Sequence, residues 1–308
     1  MTSAPTTELP AASTAGVASL RRWERLSFSV AHAAVSLLLA GLSPKGLYAF
    51  GRAFGTLEWM INYKRRRRFA QRCAEVAPGR GRPAREFFCR SRCDKLFYLI
   101  LDRVTREQAA TLFSIGNRAL LDDAVRRGKG VYVALSHHGA HHIAAIMLAQ
   151  AGYRVAGVRN RSESAIRRFV QQRLDRRRGE VKNFRIIFSD AYPRDIYRCF
   201  QEGYVLGSLM DVAHVHRPNQ KFEEVTLFGE THRFLSGPMR VAIRCGAPIL
   251  QAFIVPGSGF RYCLDIVEQL VAPSNVQDED AAVTRALQTY AKNLELHVRA
   301  HPELMTRI

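Results

Sequence analysis

From about residue 115 to the C-terminus, short apolar runs alternate with longer amphipathic stretches. This alternation constrains the fold more than any other feature of the chain. VYVALS (131–136), YRVAGV (153–158), FRIIFS (184–189), YVLGSLM (204–210) and PILQAFIV (248–255) read as strands. Continuous apolar runs of that length suit strands buried on both faces. Between them, NRALLDDAVRRGKG reads as a helix stopped by Gly128 and Gly130, and HIAAIMLAQAG (142–152) as another. PGSG (256–259) turns the chain back into FRYCLDIVEQL as an antiparallel hairpin, and a last helix runs from near Asp278 to about Arg299. The expected fold is α/β, a mixed and mostly parallel sheet flanked by helices.

The N-terminal part has a different character. Residues 1–20 are small, polar and proline-containing, and read as a disordered tail. LSFSVAHAAVSLLLAGL (26–42) follows RRWER and carries no formal charge. A helix of that length spans about 25 Å, just short of a ~30 Å hydrocarbon core. A signal peptide would need a small-residue cleavage site, which is missing, and a buried core helix would use the same apolar run. The expectation is a membrane anchor or interfacial helices over 21–62. Its basic flanks, Arg21, Arg22, Arg25 and KRRRR (64–68), would lie on the cytoplasmic face of the cell inner membrane. GLYAFGRAFGTLEWMIN (46–62) would continue along the interface, with Trp23 and Trp59 as anchors, and the α/β domain would occupy 63–308.

The formal net charge is +19. Such a field attracts polyanions: nucleic acid, anionic lipid or an acidic protein. Zinc-finger spacing, an RRM signature and heptads are all missing, so no nucleic-acid partner is expected. Residues 154–178 hold nine arginines against Glu163 and Asp175, a basic face of which part is ordinary solvated helix. The six cysteines form no disulfide framework and read as reduced thiols.

Within SHHGAHH, four histidines surround one glycine at the point where strand 131–136 gives way to a helix. In open α/β sheets ligands bind at the carboxyl ends of strands, and a helix start offers N–H groups to an oxyanion. His137/His141 and His138/His142 are spaced i, i+4, which suits a shared metal on a helix. Gly139 breaks that register, however, and no glutamate lies between them, so no metal is expected.

GKGVYVALSHHGAHH resembles the first block of the bacterial late acyltransferases of lipid A biosynthesis, within the lysophospholipid acyltransferase superfamily. His137 falls on the family's histidine and Gly139 on its glycine. His142 falls where the family has Glu or Asp, and His138 where it has an aromatic. GVRN resembles a second block, placing Arg159 on its basic position. YVLGSLMD resembles the strand ending in Asp211, and VTLFGE resembles the block ending in Phe-Phe-Gly, matched by Phe228 and Gly229. The helix-and-strand pattern SGPMRVAIRCGAPILQAFIV also fits, whereas LELHVRAHPELM lacks the family's later tryptophans.

The resemblance implies a glycerolipid acyltransferase-like α/β fold and O-acyl transfer. The donor would be an acyl carrier protein thioester or acyl-CoA as co-substrate, with no further cofactor. The acceptor would be an anionic membrane lipid or glycolipid such as a lipid A precursor. A histidine takes the acceptor's proton during attack, and a partner orients the imidazole and stabilises its charged form. His137 is the expected base and His142 the expected partner. Gly139, Arg159, Asp211, Phe228 and Gly229 would bind substrate. A neutral imidazole at 142 brings no negative charge. Three alternatives therefore stay open: Asp211 or Asp190 supplies the acid, a His–His pair suffices, or the chain binds acyl groups without turning them over. His138 and His141 read as aromatic fillers, and His232, His297 and His301 as surface residues.

Overall fold

A computed structural model describes residues 40–79, 83–159, 184–188, 193–211, 221–272 and 276–305, with positions 30, 33, 34, 37 and 274. Ser43–Ile308 forms one compact unit and Met1–Leu42 another. The larger unit begins with helices α1 (Pro44–Ile61), α2 (Tyr63–Val76), α3 (Ala84–Ile100) and α4 (Arg106–Leu112). Strands and helices then follow in the order β1 (Phe113–Gly116), α5 (Arg118–Arg126), β2 (Val131–Leu135), α6 (Ala144–Gln150), β3 (Val155–Arg159), β4 (Phe184–Phe188), α7 (Pro193–Gln201), β5 (Val205–Leu209). The chain continues through β6 (Phe222–Leu227), β7 (Glu230–Leu235), α8 (Gly237–Arg244), β8 (Ile249–Pro256), β9 (Tyr262–Val271) and α9 (Glu279–Ala300). Two single turns of 3-10 helix matter below, His141–Ile143 and Pro302–Leu304.

The main sheet has seven strands in the order β1-β9-β8-β2-β5-β3-β4. Every neighbouring pair is parallel except β8 with β9, the hairpin that PGSG announces. β2 lies inside the sheet between β8 and β5, and all five of its residues are buried. That is why it reads as a continuous apolar run: helices cover both faces, so nothing polar has a place to point. The core beside it holds Tyr132, Phe253, Leu287 and Tyr290.

β6 and β7 form a separate two-stranded sheet, a hairpin closed at Phe228 and Gly229. Both tip residues have positive φ, 53° and 79°, as a tight primed turn requires. The hairpin sits on α9: Gln288 brackets both the N–H and the carbonyl of Thr226, and Glu295 Oε1 accepts the Phe228 N–H at 2.6 Å.

The expectation of a membrane-associated helical segment at the cell inner membrane is corrected here. Among the described residues, no helix is long and apolar enough to cross a membrane. The apolar run 26–42 falls mainly outside the described residues. Residues 46–62, expected to continue it, form α1, which docks on α3 within the larger unit. The reason lies in its inner face. A Cβ at Gly55 would stand 2.5 Å from the Cys89 Cα, so the two backbones meet where the side chain is missing. Buried Glu58 pairs with Arg92 of α3 at 2.5 Å and with Arg65 of α2 at 3.0 Å, and Arg52 meets Glu86 at 2.9 Å. A buried carboxylate needs such partners, and they lie on neighbouring helices of the same body. The opposite face of α1 leaves Phe54, Leu57 and Ile61 exposed.

The KRRRR run becomes part of α2, and two of its arginines are not free in solvent. Arg65 lies over the rings of Phe87 and Phe88, and Arg66 over Trp59 and Tyr63. All six cysteines are free thiols.

Candidate active site

β2 and β5 are parallel neighbours in a register that sets Leu135 opposite Leu209. Two residues past each strand come His137 and Asp211, which therefore arrive side by side although they are 74 positions apart in sequence. The Asp211 carboxylate accepts the His137 backbone N–H, at 2.9 Å through Oδ2 and 3.1 Å through Oδ1. His137 Nδ1 lies 2.8 Å from Oδ1. A carboxylate only accepts, so Nδ1 carries the hydrogen and donates it. The lone pair of this tautomer is then on Nε2. Both side chains are about one-fifth exposed, 19% and 20%.

The loop after His137 bends at Gly139, whose φ is +81°. Its N–H donates to the Leu304 carbonyl at 3.0 Å, and a Cβ there would stand 2.7 Å from the Ile254 carbonyl oxygen. Glycine is needed for both the left-handed backbone and the close approach. Its contacts fix Gly139 between β8 and the C-terminal turn.

His141 and His142 follow in the 3-10 turn. The His141 ring stands edge-on to His137, centroids 5.0 Å apart, and His142 stands edge-on to Tyr98 of α3 at 4.9 Å. The carboxylate on His137 Nδ1 is thus Asp211, while His142 packs against Tyr98 and His141. Of the two acids open as alternatives at that position, Asp190 lies outside the described residues.

A second set of imidazoles lies behind the loop. His138 is buried, 6% exposed, edge-on to His297 of α9 at 5.0 Å. His297 is stacked flat on Phe253 at 4.0 Å, and His301 stands 5.0 Å from it. Burial holds both rings neutral: it pushes His138 down to about 4 and His297 to about 3, and for His297 the neighbouring imidazoles act in the same direction. Nε2 of each is buried without a hydrogen-bond partner among the described residues. His297, read from sequence as a surface residue, is instead part of the wall behind the loop. Among the described residues no group of three or more His, Cys, Asp or Glu side chains could hold a metal ion.

The remaining expected residues are dispersed. Arg159 ends β3, paired through its backbone with Phe188 of β4, and its side chain lies outside what is described. Phe228 and Gly229 make the β6–β7 turn, with Arg299 of α9 over the Phe228 ring at 5.4 Å. Most of the 154–178 arginines fall outside the described residues. Sequence reasoning did not single out Tyr98 or Tyr290, and it gave His297 no role in the site. Tyr290 and His297 are seven apart on one helix, a spacing that puts them on one face.

Residues 96–306 match the family model of the bacterial lipid A biosynthesis acyltransferases. The match covers most of the chain, and the protein belongs to this family. The search among curated proteins finds no match. At the family level this is an acyltransferase-type enzyme, and its sheet, mostly parallel with helices on both faces, is the expected one.

Proposed function

We propose that the chain transfers a fatty acyl group from a thioester to a lipid hydroxyl, with His137 as general base and Asp211 as the group that orients it. The observation that carries this reading is the 2.8 Å contact between His137 Nδ1 and the Asp211 carboxylate at the carboxyl ends of adjacent strands. A hydroxyl is too weak an acid to attack a thioester unaided at neutral pH. His137 Nε2 takes its proton as the oxygen attacks the acyl carbon, and Asp211 stabilises the imidazolium that forms. Collapse of the tetrahedral intermediate breaks the carbon–sulfur bond, and the thiolate leaves with the proton that His137 returns.

The donor in this reading is acyl carrier protein or coenzyme A, and the acceptor an anionic lipid or glycolipid of the lipid A precursor type. Family membership and the +19 net charge support it, since carrier protein, coenzyme A and acceptor are all acidic. Gly139 serves by shaping the loop. Arg159, at the end of a strand two places from β2, would meet the substrate's phosphates.

The test is turnover by purified protein. Acyl thioester and lipid acceptor should give ester and free thiol, and Asp211→Asn should remove most of that rate. Equilibrium binding of acyl chains with no turnover in the wild type would establish a binding protein instead.

A further inference from the structure

The carbonyl of Leu135, the last residue of β2, accepts two hydrogen bonds. One comes from the Met210 N–H at 2.9 Å and ties the end of β2 to the end of β5. The other comes from the Tyr290 hydroxyl of α9 at 2.8 Å, buried in the core. The two residues joined at this oxygen stand immediately before the pair described above: Leu135 two places ahead of His137, Met210 one place ahead of Asp211. Tyr290 is itself fixed. It is fully buried, its ring stands edge-on to Phe234 at 5.6 Å, and its carbonyl accepts Gln251 Nε2 at 3.0 Å. Gln251 Oε1 in turn accepts from Asn293, one turn further along the same helix, at 2.9 Å. Between the node and the base, Ser136 Oγ accepts the His138 N–H at 3.2 Å.

We propose that Tyr290 is a positioning residue for acyl transfer. Its hydroxyl fixes the Leu135 carbonyl and so sets the distance between His137 and Asp211. The inference rests on the acyl-transfer reading for its kinetic part only. A carbonyl has two lone pairs, and Met210 already satisfies one. Losing the hydroxyl therefore leaves the Leu135 carbonyl bonded through Met210, and it also removes a side-chain hydrogen bond with buried Ser136, the residue between Leu135 and His137. What the second bond adds is stiffness at the point where two strands release the residues that must meet. A misplacement of about 1 Å at such a pair costs up to about 100-fold in rate.

The experiment is Tyr290→Phe, with Tyr262→Phe as a control. The Tyr262 hydroxyl is likewise largely buried and lies 2.9 Å from Asp94 Oδ1, within a different contact. Tyr290→Phe should lower kcat about tenfold with the KM for the thioester unchanged, and the effect should vanish in an Asp211→Asn background. By proton NMR, the His137 Nδ1–H resonance shared with Asp211 should weaken or broaden in Tyr290→Phe and persist in Tyr262→Phe. If the phenylalanine chain fails to fold, 4-aminophenylalanine at 290 keeps a weaker donor and should give a rate between wild type and one-tenth of it. Wild-type kcat and an unchanged resonance in whichever variant folds would overturn the proposal. If wild-type protein shows no turnover, the functional reading fails, and the resonance alone still decides the role of Tyr290.

Discussion

One loop divides two sets of histidines. In front of it, His137 holds a carboxylate against Nδ1 and remains one-fifth exposed, with His141 and His142 beside it. Behind it, buried His138 stands edge-on to half-buried His297, and burial holds both rings neutral. Adjacent residues in sequence, 137 and 138, thus sit in opposite environments. The side chain is the same and the surroundings differ: His137 is in contact with a carboxylate, whereas for His138 burial outweighs the charges of Glu303 and Asp211 and keeps the ring neutral. In the proposed function the front set moves the proton and the back set fills space.

The largest effects should come from breaking the front. His137→Ala and Asp211→Asn should each reduce acyl transfer by about 10³–10⁴-fold, read as kcat/KM, because general-base catalysis and its orienting acid act as a unit. The matching change behind, His297→Phe, should leave kcat/KM within about threefold. An equal loss in both would dissolve the distinction.

Gly139 joins front and back, so Gly139→Ala should disturb both. The left-handed backbone and the 2.7 Å approach to the Ile254 carbonyl should together cost about 2–4 kcal/mol, measured as a lower denaturation midpoint at unchanged slope. Activity should fall in the fraction that remains folded.

Acid should break the back. The folded-state value of His138 is depressed to about 4, so between pH 6.5 and 4 the unfolded chain binds a proton that the native protein does not. Stability is therefore fully present above about pH 6.5 and lost as pH falls through that window, by up to about 3 kcal/mol for this residue. Melting temperatures recorded from pH 7.5 to 4.5 should fall less steeply for His138→Phe than for wild type. His297→Phe should act in the same direction. Parallel curves would mean that neither ring is held neutral.

The smallest effect should come from His142. If Asp211 orients His137, both His142→Phe and His142→Glu should keep transfer within about fivefold. A rise of tenfold or more in His142→Glu would mean that a carboxylate at 142 can take over from Asp211, because added negative charge beside the forming imidazolium favours it.

Much of this was legible in the sequence because the signals are local. Apolar runs of strand length, glycines after helices and PGSG before a second run each depend on a few neighbouring residues, and six strands of the main sheet appear where they place them, whereas β1 was not read from its four residues. The His137 loop was legible for the same reason: polar residues directly after a buried strand must lie at the sheet's end. Tertiary structure alone decided which acid meets His137. His142 is five residues away and Asp211 is 74, yet the β2–β5 register carries Asp211 to Nδ1 and directs His142 towards Tyr98. Strand order and register follow from the packing of the whole sheet, which no local pattern records. The same holds for α1, whose apolar composition suggested a bilayer, while its Gly55 notch and ion-paired Glu58 fit the surface of α3. It holds again for His297, an ordinary polar residue near a helix end until the fold lays Phe253 beneath it. Periodicity tells which face of an element is buried; only the assembled fold tells what that face is buried against.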